Sequence, residues 1–129
     1  MSRPEDLKYT RSHEWVRIDG DVAEIGITDY ATEQLNDLAF VDLPEKGAAA
    51  SKDTRFGEIE STKSVSDLMA PVSGEIIEVH TELADELEKI SSSPYSEGWM
   101  IRVRMSDPSE LESLLSAEEY AAQILTEEH

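Results

Sequence analysis

Residues 55–69 read RFGEIESTKSVSDLM, and this stretch decides the type of fold. Short extended segments over Arg55–Glu60 and Val65–Met69 meet at a group of small hydroxylic residues around Thr62-Lys63. A two-residue turn at Thr62-Lys63 would pair the two segments as antiparallel strands, with Ser61 opposite Ser64. The stretch therefore predicts a β-hairpin with Lys63 at its tip.

Lys63 is the one cation between residues 56 and 69. Its neighbours are small, so another protein could approach the backbone there without a clash. Surface lysines at turns usually serve only solubility, however, and no neighbouring group activates the amine for Schiff-base chemistry. Residue chemistry alone leaves both roles open.

The N-terminal part of the chain predicts a second hairpin. Leu7–Ile18 alternates as one extended segment, and Asp19-Gly20-Asp21 supplies turn chemistry before a strand over Val22–Ile27. Thr28 then has the side chain to cap a short helix over Asp29–Asp37.

Short strands separated by turn residues continue through the middle of the chain. We expect them at Phe40–Leu43, Gly74–Val79 and Trp99–Met105. This density of short strands favours a sandwich or flattened barrel over a parallel sheet. Leu83–Ile90 predicts a short surface helix, followed by a loop over Ser91–Pro94.

The C-terminal tail predicts two short helices. Asp107 and Pro108 supply an N-cap and a first-turn proline for a helix over Pro108–Leu115. Ser116-Ala117-Glu118-Glu119 matches a capping box for a second helix over Ala117–Leu125. Their predicted apolar contacts are Leu111, Leu114, Leu115, Tyr120, Ile124 and Leu125.

Composition excludes several classes of function. The chain has 129 residues, which suits a single domain, and no cysteine for disulfides or thiolate chemistry. With 29 acidic and 11 basic residues its formal charge is −18, which repels nucleic acid and anionic lipid. No window approaches the roughly 20 apolar residues of a membrane span. We expect neither nucleic acid nor membrane as a partner, and we expect a monomer.

No catalytic or metal-binding pattern stands out. The histidines, His13, His80 and His129, are far apart and show no metal-ligand spacing. No Gly-x-Ser-x-Gly elbow or glycine-rich phosphate loop occurs. Glu58 and Glu60 are typical of a solvated face at this net charge. The sequence therefore predicts a carrier or binding module that is not an enzyme and holds no metal.

Several motifs, in order along nearly the whole chain, resemble the lipoyl-carrying H-protein family of the glycine cleavage system. They are Ser12-His13-Glu14-Trp15-Val16, Gly26-Ile27-Thr28-Asp29, Phe40-Val41-Asp42-Leu43-Pro44, Glu60-Ser61-Thr62-Lys63-Ser64, Ala70-Pro71-Val72-Ser73-Gly74-Glu75, Ser93-Pro94-Tyr95, Gly98-Trp99-Met100 and Glu110-Leu111-Glu112-Ser113-Leu114-Leu115. Tyr30 departs from the family, in which this position is often histidine.

The resemblance implies a mainly β fold, an antiparallel barrel-sandwich hybrid with short peripheral helices and a C-terminal helical tail. A single domain over 1–129 would hold a lipoyl-binding core at 22–105 and C-terminal helices at 106–129.

The resemblance also implies particular site residues. Lys63 occupies the position of the lipoyl-lysine, so lipoate would be joined to its amine. Glu14 would contact the protonated amine of the loaded arm, the alternative being a solvated acid beside a core Trp15. Glu60 and Asp67 are further candidates for supporting roles at this site.

As the resemblance implies, the chain would carry the aminomethyl group of glycine from a pyridoxal-phosphate decarboxylase (P-protein) to a tetrahydrofolate-dependent aminomethyltransferase (T-protein). A dihydrolipoyl dehydrogenase (L-protein) would reoxidise the dithiol, and a lipoate attachment enzyme would modify the lysine. The expected location is a bacterial cytoplasm, or a mitochondrion for a processed form.

Three alternatives are open at this point. The first is a lipoyl relay that donates its cofactor to 2-oxoacid dehydrogenase complexes. The second is a lipoyl or biotinyl domain of such a complex, which resembles this chain less because Asp-Lys-Ala and Met-Lys-Met tips are absent. The third is a structural protein that is never modified.

Overall fold

The computed structural model describes residues 4–35 and 37–127, apart from the side chain of Glu127. In that part of the chain, nine short strands form two antiparallel sheets. They are β1 (Lys8–Tyr9), β2 (Glu14–Asp19), β3 (Val22–Ile27), β4 (Leu38–Asp42), β5 (Ala49–Ala50), β6 (Arg55–Ser61), β7 (Val65–Met69), β8 (Gly74–Val79) and β9 (Ile101–Met105).

The larger sheet has the strand order β1-β2-β3-β9-β8-β5, and the smaller has the order β4-β6-β7. All pairings are antiparallel. The predicted fold class, mainly β with antiparallel sheets and short helices, is confirmed. The last predicted strand begins at Ile101, two residues later than expected.

The Asp-Gly hairpin is confirmed, whereas the single strand over Leu7–Ile18 is wrong. Asp19 pairs with Val22 across a turn in which Gly20 has a φ of 64°. The first segment divides into β1 and β2 because a turn intervenes, in which His13 adopts a φ of 74°. Such a φ is uncommon for a residue with a side chain, so alternation alone could not reveal it.

Helix α1 (Asp29–Leu35) is capped as predicted, since Thr28 Oγ1 accepts a hydrogen bond from the Ala31 amide at 3.2 Å. The predicted surface helix over Leu83–Ile90 is wrong. A 3-10 helix over Thr81–Asp85 and helix α2 (Glu88–Ser92) take its place.

Two apolar side chains explain that difference. Leu83 and Ile90 are both fully buried in the main core, so each short helix turns one apolar residue inward. Ser91 and Ser92, predicted as loop, belong to α2.

The tail begins with a 3-10 helix over Pro108–Ser113, shorter than predicted, and ends with helix α3 (Ala117–Glu127). The first helix stops because Leu115 forms a β-bridge with Tyr9 through hydrogen bonds of 2.8 and 2.7 Å. The capping box is confirmed: Ser116 Oγ accepts from the Glu119 amide, and the Glu119 carboxylate from the Ser116 amide. Leu125, predicted as an apolar contact, is exposed.

The core has two parts. The main cluster fills the space between the sheets. A second group, called here the aromatic cluster, joins the N-terminal strands to α1 and α3, and its members are Leu7, Tyr9, Trp15, Tyr30, Tyr120 and Ile124.

Two close approaches to aromatic rings show how closely this cluster is packed. The rings of Tyr9 and Tyr120 stack with centroids 4.9 Å apart. A Cβ on Gly26 would lie 2.7 Å from the Trp15 ring, so only glycine lets the indole lie against β3. The aromatic cluster therefore fixes the segment that carries Glu14.

No helix among residues 4–35 and 37–127 is long and apolar enough to cross a membrane.

Candidate functional site

The hairpin of β6 and β7 places Lys63 at its tip. Ile59 pairs with Ser66 and Glu60 with Val65, and the Ser61 amide donates to the Ser64 carbonyl at 2.8 Å. The predicted register and two-residue turn are therefore confirmed. The Lys63 side chain is exposed.

Hydrogen bonds hold the backbone of the tip. Ser61 Oγ accepts from the amides of Lys63 and Ser64 at 3.2 and 3.1 Å. The Thr62 amide donates to the Asp37 carbonyl at 3.0 Å, which ties the tip to the segment after α1. The lysine is thus a flexible side chain on a fixed backbone.

A cavity of about 300 Å³ opens beside this tip. It lies between the turn before β2, helix α1 and the outer strand β7. Its polar lining includes Ser12, Glu14, Gln34, Ser64, Ser66 and Asp67. Because Ser64 follows Lys63 directly, a group extending from Lys63 can fold back into this cleft.

Glu14 is the buried acid of the cleft, with only 1 % of its surface exposed. Its carboxylate accepts from the hydroxyls of Thr10 at 2.7 Å and Ser12 at 2.5 Å, and from the Met69 amide at 3.2 Å. The alternative that Glu14 is a solvated acid is wrong.

Burial sets the proton affinity of this carboxyl. Loss of hydration raises the pKa of Glu14 from 4.5 to about 7, although the hydrogen bonds from Ser12, Thr10 and Met69 oppose that rise. The side chain therefore changes charge close to neutral pH.

The structure brings Asp67 into the same cleft but not Glu60. Asp67 is exposed, and its Oδ1 lies 3.2 Å from Arg55 Nε. Glu60 lies on the outer face of the smaller sheet, where Phe40 and Val65 pair with it on either side. Of the three candidates for supporting roles, two share the cleft in the described part of the chain.

Sequence patterns missed a hydrogen-bonded support behind the cleft. The Tyr120 hydroxyl lies 2.8 Å from His13 Nδ1 and 2.7 Å from Thr28 Oγ1, which links α3 to the turn before β2 and to the cap of α1. The Tyr30 ring lies 4.9 Å from the His13 ring and lines the cleft. The one local signal was a histidine directly before an acid at the start of a strand.

Known proteins resemble this chain over nearly its whole length. A family model described as Glycine cleavage H-protein matches residues 7–127. The glycine cleavage system H protein of Rubrobacter xylanophilus is 54 % identical over 125 residues, covering 97 % of each chain. The mitochondrial H protein of Flaveria pringlei is also 54 % identical, over 114 residues that cover 88 % of this chain and 70 % of the plant protein.

A solved structure agrees with the fold. The crystal structure of a glycine cleavage system H protein from Mycobacterium marinum superposes with a TM-score of 0.87 at 44 % identity, covering 95 % of this chain and 98 % of that one.

Fold, site and these matches together define a carrier protein of a multienzyme system. The chain belongs to the glycine cleavage H-protein family, the lipoyl carriers of the glycine cleavage system. Its matches include bacterial and mitochondrial proteins.

Proposed function

We propose that Lys63 is the residue of this carrier to which lipoate is joined. The single observation that carries the proposal is an exposed lysine at the tip of a hairpin whose backbone is held on both sides. A fixed backbone presents one shape to an attachment enzyme, so less ordering is needed on binding.

The attachment is an acyl transfer to nitrogen. Lys63 Nζ gives up a proton and attacks the acyl carbon of an activated donor, a mixed anhydride with a nucleotide phosphate. A C–N bond forms, the C–O bond to the phosphate breaks, and the nucleotide leaves with that electron pair. Loss of a second proton from nitrogen leaves a neutral amide.

The residues present fit the lipoyl group. A lysine joined to a lipoyl chain contains roughly ten single bonds of about 1.5 Å each, so the arm can reach partner enzymes or fold into the adjacent cleft. When bound, the dithiolane supplies the sulfur that carries the aminomethyl group of glycine.

Glu14 and Asp67 are proposed to hold the charged end of the loaded arm. A protonated amine in the cleft would form a charge-assisted hydrogen bond to the Glu14 carboxylate. Because a nearby cation favours the ionised acid, it would also lower the raised pKa of Glu14. Asp67 at the exposed side would attract the amine, whereas a supporting role for Glu60 stays a prediction.

As a component of the glycine cleavage system, the chain has the P-, T- and L-proteins as its implied partners. We propose that it exchanges the aminomethyl group with the first two and is reoxidised by the third. The lipoate attachment enzyme, a monomeric state, a bacterial cytoplasmic location and the division at residues 22–105 and 106–129 stay predictions.

Intact-mass analysis tests the proposal directly. The wild type, Lys63→Arg and Lys46→Arg are each produced with a lipoate attachment enzyme and free lipoate. Lys46 is the matched control because it is also exposed and lies in a turn. We expect one lipoyl increment on the wild type and on Lys46→Arg, and none on Lys63→Arg. An increment on Lys63→Arg would place the modification elsewhere.

A further inference from the structure

The outer face of the smaller sheet carries an apolar patch next to Lys63. Phe40 on β4 and Val65 on β7 both pair with Glu60 on β6, so the three side chains form one row on one face. Phe40 is 48 % exposed and Val65 is 57 % exposed. Phe40 and Val65 are called here the tip patch.

Local backbone geometry contributes to this exposure. The register of β4 against β6 shifts between Leu38 and Phe40, and such bulges re-aim side chains. Leu38 packs against the main core, whereas Phe40 faces solvent. Large exposed apolar residues in the described part of the chain are few, and Ile18 and Leu125 are the others. Phe40 and Val65 flank Glu60 in this row, and large exposed apolar side chains grouped on one face are typical of an interaction site.

An acidic row borders the tip patch on the side away from the tip. Asp42 pairs with Glu58, and Glu58 pairs with Asp67, so three carboxylates lie across the sheet two residues further from the tip. Asp67, on the outer strand, also lines the cleft. Arg55 contacts Glu58 and Asp67, which leaves the row net negative. This surface therefore complements a partner that offers an apolar contact bordered by basic side chains.

The distance between Lys63 and the tip patch indicates which kind of enzyme binds this surface. Val65 lies two residues after Lys63, roughly 7 Å along the strand, and Phe40 belongs to the same row of paired residues two strands away. An extended lysine side chain reaches a similar distance. An enzyme that acts on Lys63 Nζ itself therefore comes close enough to contact this row. Enzymes that act at the far end of a lipoyl arm, roughly 15 Å from the backbone, need not touch it.

We propose that the tip patch and its acidic row form the docking surface for the enzyme that acylates Lys63. The proposal rests on the assignment of Lys63 as the modified residue. It assigns Phe40 and Val65 to recognition of the unmodified protein, whereas Glu14 serves the loaded arm and Asp67 borders both surfaces.

Initial rates of lipoyl incorporation test this surface. The unmodified double variant Phe40→Ser/Val65→Thr is compared with Ile18→Thr/Leu125→Ser, which removes equally exposed apolar groups far from the tip. Purified attachment enzyme and intact mass give kcat and KM. We expect KM to rise about tenfold for the first variant, which corresponds to one well-buried apolar contact. The control should stay within about twofold of the wild type.

A second readout separates docking from a general defect. Lipoylated samples of each variant, prepared with long incubation, are reduced by NADH through dihydrolipoyl dehydrogenase acting in reverse, and equal rates are expected. Equal losses in acylation and reduction, or no change in acylation, would overturn the proposal. Val65→Thr alone keeps a β-branched side chain of the same shape, so a smaller rise in KM is expected from it even if the double variant folds poorly.

The acidic row gives a third measurement. The double variant Asp42→Asn/Glu58→Gln should flatten the salt dependence of the acylation KM, and an unchanged salt dependence would remove the acidic row from the surface. If the wild type takes up no lipoyl group, the assignment of Lys63 fails, and the docking proposal fails with it. If the wild type is modified but Phe40→Ser/Val65→Thr leaves the rate of acylation unchanged, only the docking proposal is overturned.

Discussion

Lys63 at the tip and Glu14 at the floor of the cleft are charged residues of one site in opposite environments. Lys63 is exposed and keeps its hydration, whereas Glu14 is 1 % exposed and holds its charge only against the cost of burial. Burial therefore disfavours the ionised form of Glu14, and a bound cation would stabilise that form. Changes at the floor should accordingly disturb stability more than changes at the tip.

The largest expected effect is at Glu14. Its raised pKa means that the folded state binds a proton more tightly than the unfolded state does. This group's contribution is therefore most favourable below pH 4.5 and is lost as pH rises from 4.5 to about 7. The raised pKa corresponds to a loss of about 3 kcal/mol in the free energy of unfolding above pH 7, compared with its value below pH 4.5.

Glu14→Gln removes that titration. Unfolding free energies from urea denaturation between pH 4 and 8 should show a variant-minus-wild-type difference that grows by up to about 3 kcal/mol in favour of the variant. The other carboxyls are common to both proteins, so the difference isolates Glu14. A difference that does not vary with pH would contradict the buried, raised-pKa carboxyl.

Tyr120→Phe should have the next largest effect. It removes the hydroxyl between His13 and Thr28 while keeping the ring stacked on Tyr9. We expect a loss of about 1–2 kcal/mol in the free energy of unfolding. Thr126→Ala on the same helix is the control, because its exposed hydroxyl donates to the Gln123 carbonyl within α3, and it should change stability by under about 0.5 kcal/mol. Equal effects would refute a special role for the Tyr120 hydroxyl.

At the tip, Ser61→Ala should cost less, about 1 kcal/mol or below. Its buried hydroxyl accepts from the amides of Lys63 and Ser64. Those two residues are exposed, so water can satisfy their amides when the hydroxyl is removed. Amide hydrogen exchange should quicken at Lys63 and Ser64 and stay unchanged at Ile59. Faster exchange throughout β6 and β7 would contradict this local effect, because it would show that the Ser61 hydroxyl stabilises the whole hairpin.

The smallest effect on stability is expected for Lys63→Ala. The side chain is exposed, so the unfolding free energy should change by no more than about 0.5 kcal/mol. Lys46→Ala, at another exposed turn, provides the scale. Thermal unfolding of both variants checks this, and a loss well above that of the control would show that Lys63 is part of the packed structure.

The same contrast explains what the sequence could predict. The hairpin tip depends on residues adjacent in the chain, so strand alternation and two serines were enough to locate Lys63 and its register. Three distant contacts determine the floor. Met69 lies 55 positions from Glu14, Tyr120 lies 107 positions from His13, and Trp15 reaches Pro94. No local periodicity reports such contacts.

The errors in the predicted elements have the same origin. The polar neighbours of Leu83 and Ile90 predict a surface helix, yet both side chains are fully buried. The strand expected over Leu7–Ile18 is interrupted at His13, whose backbone is held in an unusual conformation beside the Tyr120 hydroxyl. Long-range packing overrode local pattern in each case.

The bridge between Tyr9 and Leu115 joins the two ends of the described chain. During synthesis the hairpin with Lys63 is complete once residue 69 has left the ribosome, but the aromatic cluster needs Tyr120 and Ile124. The nascent chain therefore presents Lys63 before the cleft around Glu14 is complete. A chain truncated before α3 would keep the hairpin with Lys63 but would lose the residues of α3 that support the cleft.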